Sequence, residues 1–542
     1  MKRFALVFAG LIMVGSLVFA AGGKAQDTTT VSSGPKVLHW SGTSEVTTMD
    51  SNKGYDTVSW EQMDIFTESL FKINGNNEPV PALAKALPTV SADGTVLTID
   101  LKDNIRFSNG DRITAADFVY SFQRLVDPAT GSQSANRATF AKNASDIIAG
   151  KQPPENIGVK ALSDTRLEIT LVAPNPYINT ELSSSLYSPV SRSFVQAQGA
   201  NYALSADTIL STGAYILKDW TGADISWRFE KNPYYWDAAN VYFDEITWQI
   251  VKEVATRVAL FEAGSLDGVL ITGEYAANWK GAPDLVTINA LRMTNLELGI
   301  SSNPILQNLN LRKALNLAVN RKELTDAILA GAGVPAVGAI PNGIAVSPVN
   351  GKSIAEDFGN LLPYDVAQAQ QYFAKALQEL GRTSVTLRLV CTDTDESIKI
   401  SQYLQSVYET NLPGLKIDVA NVPASVRFAE MMSYKFDLAL GGWTGEFDPA
   451  TYIKQHETSN EHNHSKWVSP EITAIINALE TSDGNDFVKR WEHLREANKY
   501  LIDNVVEVPL HQASANFLVN TRLKGLVFHV LGTPIDITRA SY

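Results

Sequence analysis

Apolar Phe436, Leu438 and Leu440 alternate with Asp437, Ala439 and Gly441, a two-residue period that predicts a strand. That strand runs into LALGGWTGEFDP, Leu438 to Pro449, where a tryptophan follows two glycines and Glu446 and Asp448 stand two residues apart. VTLRLVC (Val385 to Cys391) and LKIDVANV (Leu415 to Val422) flank a helical stretch around Ser397 to Glu409, an order that predicts a parallel strand–helix–strand unit. In FSNGDRITAADFVYSFQRLVDP, Ser108 to Asp111 form a turn cluster. Thr114 precedes Asp117 by three residues as an N-cap, Phe118, Phe122 and Leu125 follow at helical spacing, and Pro128 marks the end. From Asn310 to Leu329, Leu311, Leu315, Ala318 and Val319 make one apolar stripe. A second start is expected near Asn320 and a stop at Gly331-Ala332-Gly333. LREANKYL, Leu494 to Leu501, reads as an amphipathic helix, and Trp236 and Trp248 as core. Strands and helices alternate throughout, so the fold class is mixed α/β.

Length and charge narrow the picture. A chain of 542 residues exceeds one hydrophobic core, and at roughly 100–200 residues per domain about three domains are expected. A formal net charge of −13 argues against nucleic acid and anionic membrane as partners. Lys2 and Arg3, the apolar run Phe4 to Phe19 and the small-residue pattern Val18-Phe19-Ala20 predict a signal peptide over 1–20. Its removal takes Lys2 and Arg3 with it and leaves −15; an uncleaved anchor is the alternative. Residues 21–36 read as a flexible leader. Cys391 is the single cysteine and sits in an alternating apolar run, so it is expected as a buried strand residue. With no cysteine near the cleavage site there is no lipid anchor, and a periplasmic location is expected.

Five segments, in order, carry a resemblance. Phe107 to Pro128, STGAYILKDW (Ser211 to Trp220), NPYYWDAANV (Asn232 to Val241), LRKALNLAVNRKEL (Leu311 to Leu324) and the Gly441–Pro449 stretch resemble the signatures of the oligopeptide/dipeptide substrate-binding proteins of ABC transporters, extracellular solute-binding family 5. The resemblance spans about Val37 to Asp536. It implies a two-lobe periplasmic-binding-protein fold (class II, cluster C type) with an extra α+β domain inserted in the first lobe. Lobe I would comprise 37–67, 192–293 and 509–542, the extra domain 68–191, and lobe III 294–508, hinged at the crossings near 293 and 508. It implies a monomer that captures oligopeptides between its lobes, closes on them and delivers them to an ABC permease, with no cofactor, no metal and no chemistry of its own. Glu446 falls where the family usually has the aspartate that holds the peptide's free amino group, and a buried ammonium needs such a partner. Gly441 and Gly442 would let a peptide backbone approach, like an added strand, and Trp443, with Thr444 beside it, would wall the ligand. On the facing lobe the resemblance points to Tyr55 and Thr57, and less directly to Glu45. Asp267 is similar to a structural turn residue of the family.

Departures matter as well. Arginines that oligopeptide binders often carry fall here at Leu440 and Met431, and an expected asparagine falls near Ile271. The cations that would meet a peptide carboxylate are absent at these positions. The alternatives are an apolar-preferring or longer peptide, or a non-peptide solute such as an oligosaccharide or metal chelate. A secreted hydrolase using Glu446 and Asp448 is a further reading, since E-x-D on a strand places both carboxylates on one side about 7 Å apart. No second catalytic motif accompanies the pair. Asp448 before Pro449 reads as a turn residue. His456, His462 and His464 have spacing that could share a zinc or nickel ion, against an exposed polar loop. A sensor or chaperone-like role would use the same binding chemistry.

Overall fold

The alternation at Leu438 forms a strand that joins a sheet of eleven. The computed structural model describes residues 34–542, apart from Glu446, Glu461, Ser482, Asn485 and the side chain of Glu274. The expected signal peptide and most of the expected leader therefore lie outside the described residues, as does Glu446. In chain order the eleven strands are β1 (Val37–Gly42), β2 (Tyr215–Lys218), β3 (Ser226–Lys231), β4 (Glu245–Ile250), β5 (Gly268–Ile271) and β6 (Leu285–Leu298). They continue as β7 (Gly333–Pro335), β8 (Val385–Thr392), β9 (Leu415–Val422), β10 (Leu438–Thr444) and β11 (Glu507–Val519). The spatial order is β9-β8-β10-β6-β11-β5-β1-β4-β3-β2, with β7 also paired to β11.

Two long antiparallel strands, β6 and β11, stand at the middle of this order. Their pairing runs from Leu285 opposite Leu518 to Asn289 opposite Ser514, slips, and resumes at Met293 opposite Gln512. A second slip falls between Thr294 and Asn295. Such irregularities bend a strand and increase its local twist. On one side of them, Leu38, Trp40, Phe66, Phe229, Trp248 and Phe517 share a core. On the other, Leu296, Leu311, Leu315, Leu389, Leu404 and Leu438 share a second. A third core, with Phe71, Phe118, Phe122, Leu167 and Ile169, lies under a separate four-stranded sheet formed between Thr89 and Thr170.

Local signals explain these elements. The helix Ala115–Val126 starts where expected: Thr114 N donates to Asp117 Oδ2 at 2.8 Å, closing a capping box. Val385–Thr392 and Leu415–Val422 pair in parallel, joined by a helix that begins at Asp395, where the Thr394 side chain caps it by accepting from Ser397 N. The stretch expected as one helix with a restart divides into Leu309–Leu317, Arg321–Glu323 and a π turn, Leu324–Ile328. Asn320 makes the restart, its side chain accepting from Glu323 N at 3.2 Å. β10 continues past Gly441 to Thr444, longer than its alternation predicts, because it pairs with β6 as far as Arg292. Cys391 and Trp248 are buried, and the helix Phe487–Asp503 buries Leu494, Ala497 and Leu501 as its pattern requires. Asp267 accepts from His39 N at 3.0 Å and Tyr542 OH at 2.7 Å, so it joins β1 to the C-terminal segment. Among the described residues no helix is long and apolar enough to cross a membrane.

Candidate functional site

A cavity of about 430 Å³ opens where β6, the end of β10 and the 529–538 segment meet the helix Thr57–Phe66. Each wall is locally fixed. Asp56 caps the helix by accepting from Ser59 N at 2.8 Å, which places Thr57 at its first turn on the cavity. Tyr452, fully buried, receives Gly445 N on its hydroxyl at 2.9 Å and donates that hydroxyl to the Leu291 carbonyl. One side chain thus clamps Gly445 to β6. A side chain at Gly445 would collide with the Tyr452 ring, so this glycine is required by a close approach within the protein.

The polar lining is a set of engaged charges. Glu68 accepts from Tyr235 OH and Trp236 Nε1, each at 2.6 Å, and Lys72 Nζ lies 3.8 Å from Glu68 and 3.5 Å from Asp536. Asp536 also accepts from Thr538 N at 2.8 Å and Thr538 Oγ1 at 2.6 Å. Thr533 Oγ1 donates to Asp64 at 2.6 Å. Desolvation in the enclosed cavity pushes Asp64 up to about 6, against the pull of Thr533 and Ser185. Burial works against the charge of Lys72, but Asp536 and Glu68 outweigh it and leave the amine raised. Burial lowers His529, whose Nδ1 donates to the Leu531 carbonyl at 2.6 Å. Aromatic and aliphatic groups, Trp60, Phe71, Leu291, Phe447 and Val530, supply the rest of the wall. A mostly apolar enclosure with a few placed polar groups is suited to an organic solute.

The expected site residues divide. Thr57 and Thr444 both line the cavity, from elements far apart in sequence. Tyr55 is 44% exposed and Glu45 is exposed and paired with Lys252 at 2.5 Å; neither lines it. Trp443 is half-buried against the Ile340–Trp491 core, with its ring 4.9 Å from His462, and also lies off the cavity. Gly441 and Gly442 are glycines for reasons internal to the sheet. A Cβ on Gly441 would stand 2.8 Å from Glu297 Cγ and 3.1 Å from Met431 Cε, and one on Gly442 would strike the Met293 carbonyl. The room expected for a ligand backbone is filled by the protein itself.

The alternatives also find their places. Asp448 is bound by Arg490 Nη2 at 2.5 Å and accepts from Ala450 N at 2.8 Å, as expected of a turn residue. The described residues contain no group of three or more His, Cys, Asp or Glu side chains placed to hold a metal. His456 is not on an exposed loop: it is buried, 3.7 Å from Glu507, and His464 lies 3.9 Å from Glu297. Near Leu440 a cation arrives from another element, since Arg427 donates to the Leu440 carbonyl at 2.8 Å and to Met431 Sδ at 3.2 Å.

Sequence reading missed Asp64, Glu68, Lys72, Arg292, Tyr452 and the 529–538 segment. The i, i+4 spacing of Glu68 and Lys72 was the one local signal available.

Comparison with known proteins agrees with this architecture. The model of the bacterial extracellular solute-binding proteins, family 5, matches residues 78–463. A dipeptide-binding protein of Lactococcus lactis is 31% identical over 98% of this chain and 97% of its own. Dipeptide-binding protein DppE of Bacillus subtilis is 26% identical over 92% and 91%. Among solved structures, Listeria monocytogenes OppA bound to peptide is 32% identical, with a TM-score of 0.70 over 94% of this chain and 99% of that one. The chain belongs to family 5 of the bacterial extracellular solute-binding proteins.

Proposed function

We propose that this protein captures short peptides in the cavity beside β6 and β10 and delivers them to an ABC import permease. The cavity carries the reading: it lies at the crossing strands, between the Thr57 helix and the Thr444–Phe447 loop, and is enclosed enough to hold an extended ligand. Relatives described as dipeptide-binding and a peptide-bound OppA support peptide as the ligand class. In this reading, 37–67, 192–293 and 509–542 act as one lobe, 68–191 as an extra domain and 294–508 as the second lobe, and the protein works as a periplasmic monomer without catalysis. Glu446, which follows the cavity-lining Gly445, anchors the ligand's amino group, since a buried ammonium left unpaired costs about 3–5 kcal/mol.

Mass spectrometry of small molecules released by denaturing the purified mature protein is the first test. A ladder of peptides is the expected result; a single non-peptide compound would overturn the peptide assignment and leave the fold untouched. In calorimetry with a peptide so identified, Glu446→Ala should weaken affinity by about a hundredfold to a few thousandfold, or about 3–5 kcal/mol.

A further inference from the structure

The slip between β6 and β11 leaves Ala290, Leu291 and Arg292 facing Ala513 alone, between the pairs Asn289–Ser514 and Met293–Gln512. All three line the ligand cavity. A bulge takes carbonyls out of the ladder, and each buried carbonyl still needs a donor. Two side chains supply them here. Tyr452 OH donates to the Leu291 carbonyl, and Gln512 Nε2 donates to the Ala290 carbonyl at 2.9 Å. The same Gln512 Nε2 donates to the Asn342 carbonyl at 2.8 Å, and Gln512 Oε1 accepts from Asn342 N at 3.0 Å. Gln512 is buried and does not line the ligand cavity. In the division proposed above, Ala290 and Gln512 belong to one lobe and Asn342 to the other. Beside this contact, Asn289, Met293, Gln512 and Asn342 border a second cavity of about 230 Å³.

Resting on the two-lobe peptide reading above, we infer that Gln512 is a positioning residue for capture: its carboxamide ties the lobes together at the hinge and limits the arrangements they adopt before a ligand arrives. Glutamine suits this task because its amide offers two donors and an acceptor at one end of a side chain. Lobe rotation moves the Asn342 segment relative to the Ala290 bulge and works against these bonds. The second cavity gives the segment room to move, which a close-packed interior would not. Without the tie, the lobes sample more arrangements and fewer molecules are ready to bind. Apparent affinity falls with that fraction, by the same factor for every ligand. A side chain that touched the ligand would instead change affinity differently for different ligands.

The test uses the full mature protein with nitroxide labels at Ile225→Cys and Val468→Cys, both exposed and one on each proposed lobe; Cys391 is buried. Without ligand, electron–electron double resonance should give a broader distance distribution in Gln512→Met than with Gln512 in place. Calorimetry on unlabelled protein, dialysed free of ligand, uses two synthetic tripeptide pools, one with small and one with large apolar side chains. Both should bind Gln512→Met more weakly by one common factor, about fivefold to tenfold. Gln512→Glu keeps the shape and the acceptor for Asn342 N but cannot hold both carbonyls. It should follow Gln512→Met, and it carries the test if that variant does not fold. An unchanged distance distribution, or losses on the two pools that differ by more than about threefold, would overturn the inference. So would a lowered melting temperature with distances and affinities unchanged, which would leave Gln512 a purely structural role. If wild type binds neither pool, the peptide reading fails, and the distance measurement, which needs no ligand, still decides whether Gln512 ties the lobes.

Discussion

Glu297 and Glu507 stand directly opposite each other on β6 and β11, only 7% and 2% exposed. Like charges at paired positions repel, and burial removes the water that would screen them. Asn295 Nδ2 donates to Glu507 Oε2 at 2.9 Å. Burial, reinforced by Glu507, holds Glu297 well above the ordinary glutamate range, so it keeps its proton. Desolvation lowers His464 to about 4, so the neighbouring imidazole is neutral. A folded value raised above the unfolded one means that the stabilising contribution is whole below about pH 4.5 and is lost as pH rises through the folded value. The melting temperature should therefore decline as pH rises above about 4.5. Glu297→Gln should flatten that decline, as thermal scans across pH would measure. A steeper decline in the variant would refute this assignment of the proton.

Arg490 ties several elements together. It projects from the helix Phe487–Asp503, binds Asp448 at the turn after β10, donates to the Leu479 carbonyl and lies 5.7 Å from the Tyr177 ring. Arg490→Met should cost about 3–5 kcal/mol, because it leaves the Asp448 carboxylate without its partner. Adding Asp448→Ala should cost less than the sum of the two single changes, which denaturant titration would resolve. The elements themselves were legible because their signals are local: the Thr114–Asp117 box, the Asn320 restart and the alternation into β10 all act within a few residues. The site was not, because its contacts are distant. Lys72 meets Asp536 across 464 positions, and no pattern within one segment encodes that meeting. Gly441 and Gly442 show the same limit from the other side. A glycine announces that something comes close, but here the neighbours are Met293, Glu297 and Met431.

For the molecule as a whole, capture requires that the ligand favour one arrangement of the lobes over another. A peptide at a hundred times its Kd should raise stability by about 2.7 kcal/mol. The gain should appear as an upward shift in melting temperature that scales with peptide concentration. Small-angle scattering should show the particle contracting as the same titration saturates. A thermal shift without contraction would place the ligand in a cleft that does not close.

The two lobes proposed here are connected through β6 and β11, which are hydrogen-bonded along most of their length and broken in register only around Asn289–Met293 and Thr294–Asn295. In mechanical terms this is a leaf spring and not a ball joint. A paired ribbon resists stretching and shear, and it yields mainly by flexing where its ladder is interrupted. A hinge built this way would move in a narrow arc, each opening retracing the path of the last closing. The elastic restoring force of such a hinge, set by a few residues in the ribbon, would act on every ligand alike whatever its side chains.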